Sequence, residues 1–470
     1  MRTATRWAER EFGTAKLGDE RRRKRVVAIA AGLAARPAGK ITEVFTDSAA
    51  REACFRFMEN DSIDTAEVGR AACRHTAARC FDTPRVVVPI DTTSLTLTDP
   101  IGTKRLGPIG RSLERGRGLE VMTALALLPD GTPLGPCGQA RWVRPTKPKK
   151  KLSKKAREKL PVEEKETRYW LDVMDEACET FAREAPATRL WFQLDRGADA
   201  WPVLLQAVDG RADVTIRAAQ DRLLEGTVDG HSRRLWDFLS QQEPSASYVI
   251  DVPPGPNRTA RRAVLQLQHT PVTLTLFERG RTRPTSVSLW AVRTVEVGTT
   301  PSGEKPIEWM LLTTVRVETS QDAYQVVIAY SLRWRIEEFH KALKSSGCRV
   351  EESQLGDLDH IERWVVLHTS VAMRLVRLTY LARNAPELPA TVELSRAEIR
   401  ATIALREPRG VRERDVPPIG DVVRWIADLG GYTGKSSGGP PGVLVIARGL
   451  REIRPVAQLI ERRSRRRVEM

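Results

Sequence analysis

The stretch Tyr330-Ser331-Leu332-Arg333-Trp334-Arg335-Ile336-Glu337-Glu338-Phe339-His340-Lys341-Ala342-Leu343-Lys344 constrains this chain more than any other. On an α-helix, Tyr330, Arg333, Glu337, Lys341 and Lys344 follow at steps of three, four, four and three residues, and so share one face. A tyrosine, three cations and a carboxylate make a poor stripe to bury in a core. They suit a surface that meets a metal ion and a phosphate backbone together, the carboxylate binding the metal and the cations the phosphates. The competing reading is a solvated charged face. Trp334 and Phe339 lie off the stripe and are expected to anchor the helix by their apolar surface. Glu338 lies about 100° around the helix and is excluded from the stripe.

Two aspartates complete a carboxylate set. Arg85 to Ile90 is a short β-branched run that ends in Asp91-Thr92-Thr93-Ser94, and Arg189 to Leu194 is an apolar run that ends in Asp195-Arg196-Gly197-Ala198-Asp199. A carboxylate at the C-terminal end of a strand in an open α/β sheet points into the crevice where ligands bind. Such an aspartate also serves as a turn former or helix cap, so neither decides the matter alone. With Glu337 they form two aspartates and one glutamate, hard oxygen donors suited to two Mg²⁺ or Mn²⁺ ions about 4 Å apart at a phosphodiester.

On these residues the chain resembles a cut-and-paste DDE transposase of bacterial insertion sequences, of the Tn-five (IS-four) type. The family signature (Tyr, two residues, Arg, three residues, Glu, six residues, Lys) reads here as Tyr330, Arg333, Glu337, Lys344. Ile90-Asp91-Thr92-Thr93-Ser94 and Asp195-Arg196-Gly197-Ala198-Asp199 match its other two blocks, and the likeness runs from about Trp7 to about Leu450. The resemblance implies that Asp91, Asp195 and Glu337 are the catalytic, metal-binding triad. It implies that Tyr330, Arg333, Lys341 and Lys344 hold phosphates and that Trp309 stacks on a flipped base, a contact worth about 1–3 kcal/mol. Arg217 is a further DNA contact by the same comparison. The competing role for Trp309 is that of a strand residue in the core. Gly197, where relatives carry an acid, and Met122, where a histidine is expected, depart from the pattern.

The fold implied is an α/β, RNase-H-like catalytic core with a β-strand-rich insertion, flanked by helical N-terminal and C-terminal regions. Residues 1–70 would form a helical domain recognising DNA ends, with helices at Trp7 to Phe12, Arg21 to Ala35 and Ser48 to Glu59. The basic run Arg21, Arg22, Arg23, Lys24 and Arg25 would contact DNA there. Residues 71–355 would form the core, with strands at 85–91, 119–128, 133–143 and 189–195. The insertion is placed at about 211–305, because the 142 residues from Asp195 to Glu337 exceed one connection in a compact sheet. Residues 356–470 would be helical, with helices at Asp359 to Arg383, Ile419 to Leu429 and about 443–463, and are linked to dimerisation by resemblance. The lysine-rich run Lys147 to Lys159 is read as a segment lying over DNA.

The formal charge of +16, from 76 Lys and Arg against 60 Asp and Glu, favours a polyanionic partner. Six scattered cysteines without a CxxC pair argue against zinc and disulfide frameworks and fit a reducing cytoplasm. Arg21 to Arg25 followed by Val26 to Ala35 mimics a signal segment, but the run is too short to span a bilayer and is read as a basic, Ala-rich helix. Glu337-x-x-His340 mimics a di-metal helix motif without the second copy such a site needs. The Gly-Lys pair at Gly434-Lys435 lacks phosphate-loop spacing.

The expected activity is Mg²⁺-dependent cleavage of transposon ends through a hairpin intermediate and joining of the 3′ ends to target DNA. The partners are double-stranded DNA and a second copy of the chain, with no membrane, in the bacterial cytoplasm at the nucleoid. The alternatives are a nuclease on the same core that cuts without joining, and a non-catalytic DNA-binding regulator.

Overall fold

A computed structural model describes residues 3–110, 116–146, 160–228, 231–255, 258–277, 284–435 and 439–466. The lysine-rich run at 147–159 lies outside them. The chain opens with helices Thr3–Phe12, Glu20–Ala35, Ile41–Val44, Ser48–Met58 and Thr65–Arg79. Strands β1 (Arg85–Thr96), β2 (Gly107–Pro108), β3 (Arg117–Leu127) and β4 (Pro133–Trp142) follow. After helix Arg168–Glu184 come β5 (Arg189–Leu194), helix Trp201–Ala207 and β6 (Asp213–Arg217). The next strands are β7 (Leu223–Val228), β8 (His231–Arg234), β9 (Ala246–Val252), β10 (Arg261–Leu276), β11 (Thr285–Val297) and β12 (Glu308–Thr313), with helix Leu235–Ser240 between β8 and β9. The rest is helical: Ser320–Ser331, Arg335–Lys341, Leu358–Asn384, Arg396–Arg406, Ile419–Leu429 and Val443–Arg466.

The strands join in one sheet, ordered β2-β3-β1-β5-β6-β12-β11-β10-β7-β8, with β4 also on β3 and β9 on β10. β1, β5 and β6 are parallel neighbours, and β3 runs antiparallel to β1. Val86 to Ile90 and Leu190 to Leu194 are buried without alternation, as strands covered on both faces must be. β10 and β11 alternate buried and exposed residues over much of their length, the pattern of a sheet with one wet face.

Two expectations about organisation change here. The strand near 214–217 belongs to the central parallel trio rather than to an insertion starting at 211. The later strands extend the same sheet through β12, which pairs with β6 on one side and β11 on the other. Backbone pairing across β6 and β12 makes the continuity, and such pairing leaves no local pattern in a sequence. The expected boundary at 70 falls inside helix Thr65–Arg79. That helix escapes sequence reading because its buried side is mostly small: Val68, Ala71, Ala72, Cys73 and Ala77. Small residues let it lie close on β4, where a Cβ on Gly135 would meet Thr76 Oγ1 at 2.1 Å.

The N-terminal and C-terminal helices do not form separate cores. They bury Phe12, Leu33, Phe57, Ile426 and Leu450 in one apolar cluster around Trp364 and Leu367 of helix Leu358–Asn384. Arg363 of that helix donates to the Phe57, Met58 and Ile63 carbonyls, and the Trp364 indole donates to Gly39 O at 2.8 Å. Among the described residues this is the one helix long and apolar enough to cross a membrane, and it is buried in the protein. Glu20–Ala35 is capped by Asp19, which accepts from Arg21 N at 2.7 Å, and it buries Val26, Val27, Ile29, Ala30, Leu33 and Ala34. The signal-like run is therefore an internal helix. All six cysteines are free thiols.

Candidate active site

The register of the parallel strands brings the two aspartates together. Ile90 pairs with Leu194, so Asp91 and Asp195 are the next residues along β1 and past the end of β5. Asp195 caps a single 3₁₀ turn, Arg196 to Ala198, its Oδ1 accepting from Gly197 N at 2.7 Å. Two residues on, the carboxylate of Asp199 is fully buried and accepts from Ala219 N, Gln220 N and Arg222, which ties the turn to the chain leaving β6.

The third carboxylate arrives on a helical segment that is not uniformly α-helical. Ser320–Ser331, whose start is closed by a Thr319–Asp322 capping box, runs into a 3₁₀ turn at Leu332–Trp334. Arg335–Lys341 follows, and then a π turn at Ala342–Ser346. Arg333 leaves the 3₁₀ turn toward the sheet. Its Nη1 meets Asp91 Oδ2 at 2.8 Å and its Nη2 lies 3.7 Å from Glu337 Oε1. Tyr330 is buried at 4 % exposure, and Trp309 on β12 packs edge-on against its ring at 5.3 Å. Arg217, at the end of β6, donates to Glu308 O at 3.0 Å while its Nε is buried without a partner among the described residues. Lys344 donates to Ser94 O at 2.8 Å and lies 3.7 Å from Glu351.

Charge sets the ionisation of this group. Burial, and then the like charge of Asp195, push the Asp91 carboxyl up; Arg333 and His340 oppose them. The His340 side chain, foremost, and Arg333 hold Glu337 below the usual carboxylate range against its partial burial. Burial draws the Arg333 guanidinium down, but Asp91, Tyr330 and Asp195 outweigh it and leave it raised. Burial raises the Tyr330 phenol, with Arg333 and Arg217 opposing. Burial, the largest influence, lowers Arg217.

The structure thus brings together Asp91, Asp195, Tyr330, Arg333, Glu337, Arg217 and Trp309, with Lys344 beside Ser94 on the same strand as Asp91. Three expectations shift. Lys341 faces solvent, because the four-residue step from Glu337 adds about 40° of rotation away from the sheet. Lys344, nearly two full turns beyond Glu337, reaches back to β1. Trp334 does not anchor the helix: it is 65 % exposed, whereas Phe339 is fully buried. Glu338 is turned aside and bound by Arg335 at 2.8 Å, in keeping with its exclusion. The N-terminal basic run is divided in its contacts. Arg23 pairs with Glu9 and Glu20, Arg22 donates to Leu17 O, Arg21 pairs with Asp19 at 3.0 Å, and Lys24 lies 3.7 Å from Glu20. Arg25 is exposed. The acids that claim these cations lie on the same helix or the one before it, so a block of basic letters overstates the free charge.

Among the described residues no three acidic, histidine or cysteine side chains stand close enough to hold a metal ion together. The Arg333 guanidinium contacts both Asp91 and Glu337. The donor set itself fits a hard divalent cation: three carboxylates and no thiolate. Sequence reading missed Glu351, which accepts from Thr96 N at 2.8 Å as well as meeting Lys344. Its only signal is a position seven residues beyond Lys344. It also missed the anchoring part played by Asp199, although that residue closes the second aspartate block.

Three known families match successive parts of the chain. A transposase DNA-binding family covers residues 4–63, a transposase DDE domain residues 144–374, and the transposase Tn5 dimerisation domain residues 370–467. The DDE match contains Asp195 and Glu337 and begins after β4, so Asp91 lies before it. A transposase DNA-binding module, a DDE domain and a dimerisation module in this order make the chain a DNA-binding transposase of the Tn5-type DDE family.

Proposed function

We propose that the chain excises and inserts DNA by cut-and-paste transposition, with Asp91, Asp195 and Glu337 as its catalytic carboxylates. One observation carries this reading: the in-register ends of β1 and β5 set two aspartates side by side, and Arg333 links Glu337 to the first of them. The order β4-β3-β1-β5-β6, with β3 antiparallel to its neighbours and the other four strands parallel to one another, supports an RNase-H-like core. On this reading the N-terminal helices up to about residue 70 recognise transposon ends. The sheet region to about residue 355 is catalytic, and the helices beyond it pair two copies of the chain. Such a protein works at the nucleoid in the bacterial cytoplasm.

The three carboxylates would hold Mg²⁺ or Mn²⁺, two ions per site. Bound ions of this kind activate an attacking oxygen and stabilise a leaving one at a phosphodiester. The chain's own residues do the rest. Arg333, on moving from Asp91 to a DNA phosphate, neutralises the scissile strand, and Lys344 and the Tyr330 hydroxyl brace its neighbours. Trp309, propped edge-on by Tyr330, offers a face to a base turned out of the duplex. A water and then the freed 3′ hydroxyl serve as nucleophiles, so no side chain attacks phosphorus. Attack of that hydroxyl on the other strand makes a hairpin, whose reopening leaves 3′ ends to join target DNA.

The test combines purified protein, Mg²⁺ and linear DNA carrying the ends of the source element. Hairpin-ended products on a denaturing gel, absent with Asp195→Ala, are expected. Specific binding without cleavage in Mg²⁺ and Mn²⁺ alike would point to a regulator, and cutting without joining to a nuclease.

A further inference from the structure

Glu337 is approached at both of its oxygens. Oε1 faces Arg333 Nη2 at 3.7 Å, and Oε2 faces His340 Nδ1 at 3.9 Å. The imidazole is 7 % exposed, while the glutamate it faces is 39 % exposed. Phe339 beside it and Ile336 one turn earlier are fully buried. The second ring nitrogen, Nε2, is buried and has no hydrogen-bond partner among the described residues.

The Nδ1 of an imidazole is a donor in the charged ring and in one neutral tautomer, and in the neutral ring the partners decide which nitrogen holds the proton. An N–H at Nε2 would be left unpaired in apolar surroundings, whereas an N–H at Nδ1 points at a carboxylate. Placing the proton on Nδ1 leaves Nε2 with only a bare lone pair, the less costly orphan. The ring is therefore a one-sided donor aimed at Glu337 Oε2.

We propose that His340 is a positioning residue for Glu337, fixing that carboxylate through Nδ1–H so that Oε1 is presented to the metal ions shared with Asp91. A long, partly exposed glutamate otherwise explores several rotamers and meets a metal less often. Ligand carboxylates held by neighbouring donors are a general requirement of metal sites. His340 is not itself proposed as a ligand: its Nδ1 faces Glu337 Oε2 at 3.9 Å, and its Nε2 is buried without a partner among the described residues. This inference rests on the reading of Asp91, Asp195 and Glu337 as metal ligands.

The test uses the full chain and Mn²⁺ alone, with bound metal read by electron paramagnetic resonance. Asparagine places an amide N–H near the Nδ1 position and glutamine near Nε2. His340→Asn should bind within about threefold of the parent, while His340→Gln and His340→Leu should bind roughly 10- to 100-fold more weakly. Equal affinity of the Asn and Gln variants, or parent-like affinity of His340→Leu, overturns the positioning role. Glu337→Gln separates the two layers: parent-like Mn²⁺ binding there removes the ligand reading itself. A weakened Glu337→Gln beside a parent-like His340→Leu removes only the role of His340. The unsubstituted protein offers a second, independent measurement. Nitrogen-15 spectra of labelled histidine should show the ring that responds to Glu337→Gln protonated at Nδ1, and protonation at Nε2 overturns the proposal.

Discussion

Arg333 meets Asp91 at 2.8 Å where the central strands end, and Arg374 meets Glu398 at 3.0 Å inside the helical body. The two carboxyls nevertheless move in opposite directions. Burial and then Asp195 raise Asp91, and Arg333 does not offset them. Burial also acts to raise Glu398, yet Arg374 and the Ser395 cap outweigh it and leave that carboxyl low. Glu398 accepts from Ser395 N as well as from Arg374, and closes a capping box at its helix start. Asp91 has one guanidinium, shared with Glu337, and a like charge beside it. The buried pair is over-determined and the site pair is held by a single exchangeable cation. A carboxylate cluster that needs a cation from outside must be left short of cations from within.

The sharpest way to break this contrast is to remove one carboxylate of the site. Asp195→Ala should lower cleavage by at least roughly 10³-fold, about 4 kcal/mol of transition-state stabilisation, on a gel assay. Asp195→Asn, which removes the charge while its amide oxygen can still accept from Gly197 N, should leave the denaturant midpoint unchanged or raised, because it relieves the repulsion on Asp91. A lowered midpoint would mean that the site is built for stability. Next, Arg374→Met should cost about 3–5 kcal/mol in urea unfolding, since Glu398 would be left as a buried, half-paired charge. A cost below about 1 kcal/mol would make the helical body as exchangeable as the site.

The pH dependence sharpens the comparison. Glu11 is buried between helices Thr3–Phe12 and Thr65–Arg79, and burial, opposed by Arg79, pushes its carboxyl to about 7. A carboxyl raised on folding stabilises the protein below its unfolded pKa, and that contribution is lost as pH rises through the folded value. The shift from 4.5 to about 7 corresponds to stability of the order of 3 kcal/mol lost between those pH values. Glu11→Gln should flatten the decline in urea midpoint over that window; an unchanged slope would sink the assignment. Glu398, lowered on folding, works with the opposite sign, its contribution present above about 4.5 and lost as pH falls through its folded value. The smallest expected effect is at Lys341, exposed on the site helix. Lys341→Ala should change stability by less than about 0.5 kcal/mol. If the lysine still reaches phosphate, the substitution should lower the slope of DNA affinity against salt by about one unit.

How far the sequence carries depends on whether the pattern is local. Arg85 to Ile90 and Arg189 to Leu194 read as buried strands because their apolar runs are unbroken, and a carboxylate after each is a local signature. Their parallel, adjacent pairing, which sets Asp91 beside Asp195, is shown by neither run alone. The joining of β12 to β6 is not legible, since backbone pairing between distant strands imprints nothing on either. Helix Arg396–Arg406 also passes unseen, although Ser395 and Glu398 carry the letters of its capping box. The mixed 3₁₀, α and π character of 332–346 is equally hidden. The di-metal likeness of Glu337-x-x-His340 shows the reverse case, in which a legible pair receives another use.

Contacts that cross the whole chain also measure time. Arg451 near the C-terminus donates to Pro37 O, and Arg454 to Val44 O at 2.8 Å. A ribosome adding about 5–20 residues per second needs roughly 20–80 s to pass from Pro37 to Arg451. For most of that interval the first helices lack the central helix, Leu358–Asn384, and until its end they lack the last one, so part of their apolar surface stays uncovered. Completion of the DNA-binding region thus waits until Arg451 and Arg454 have been made.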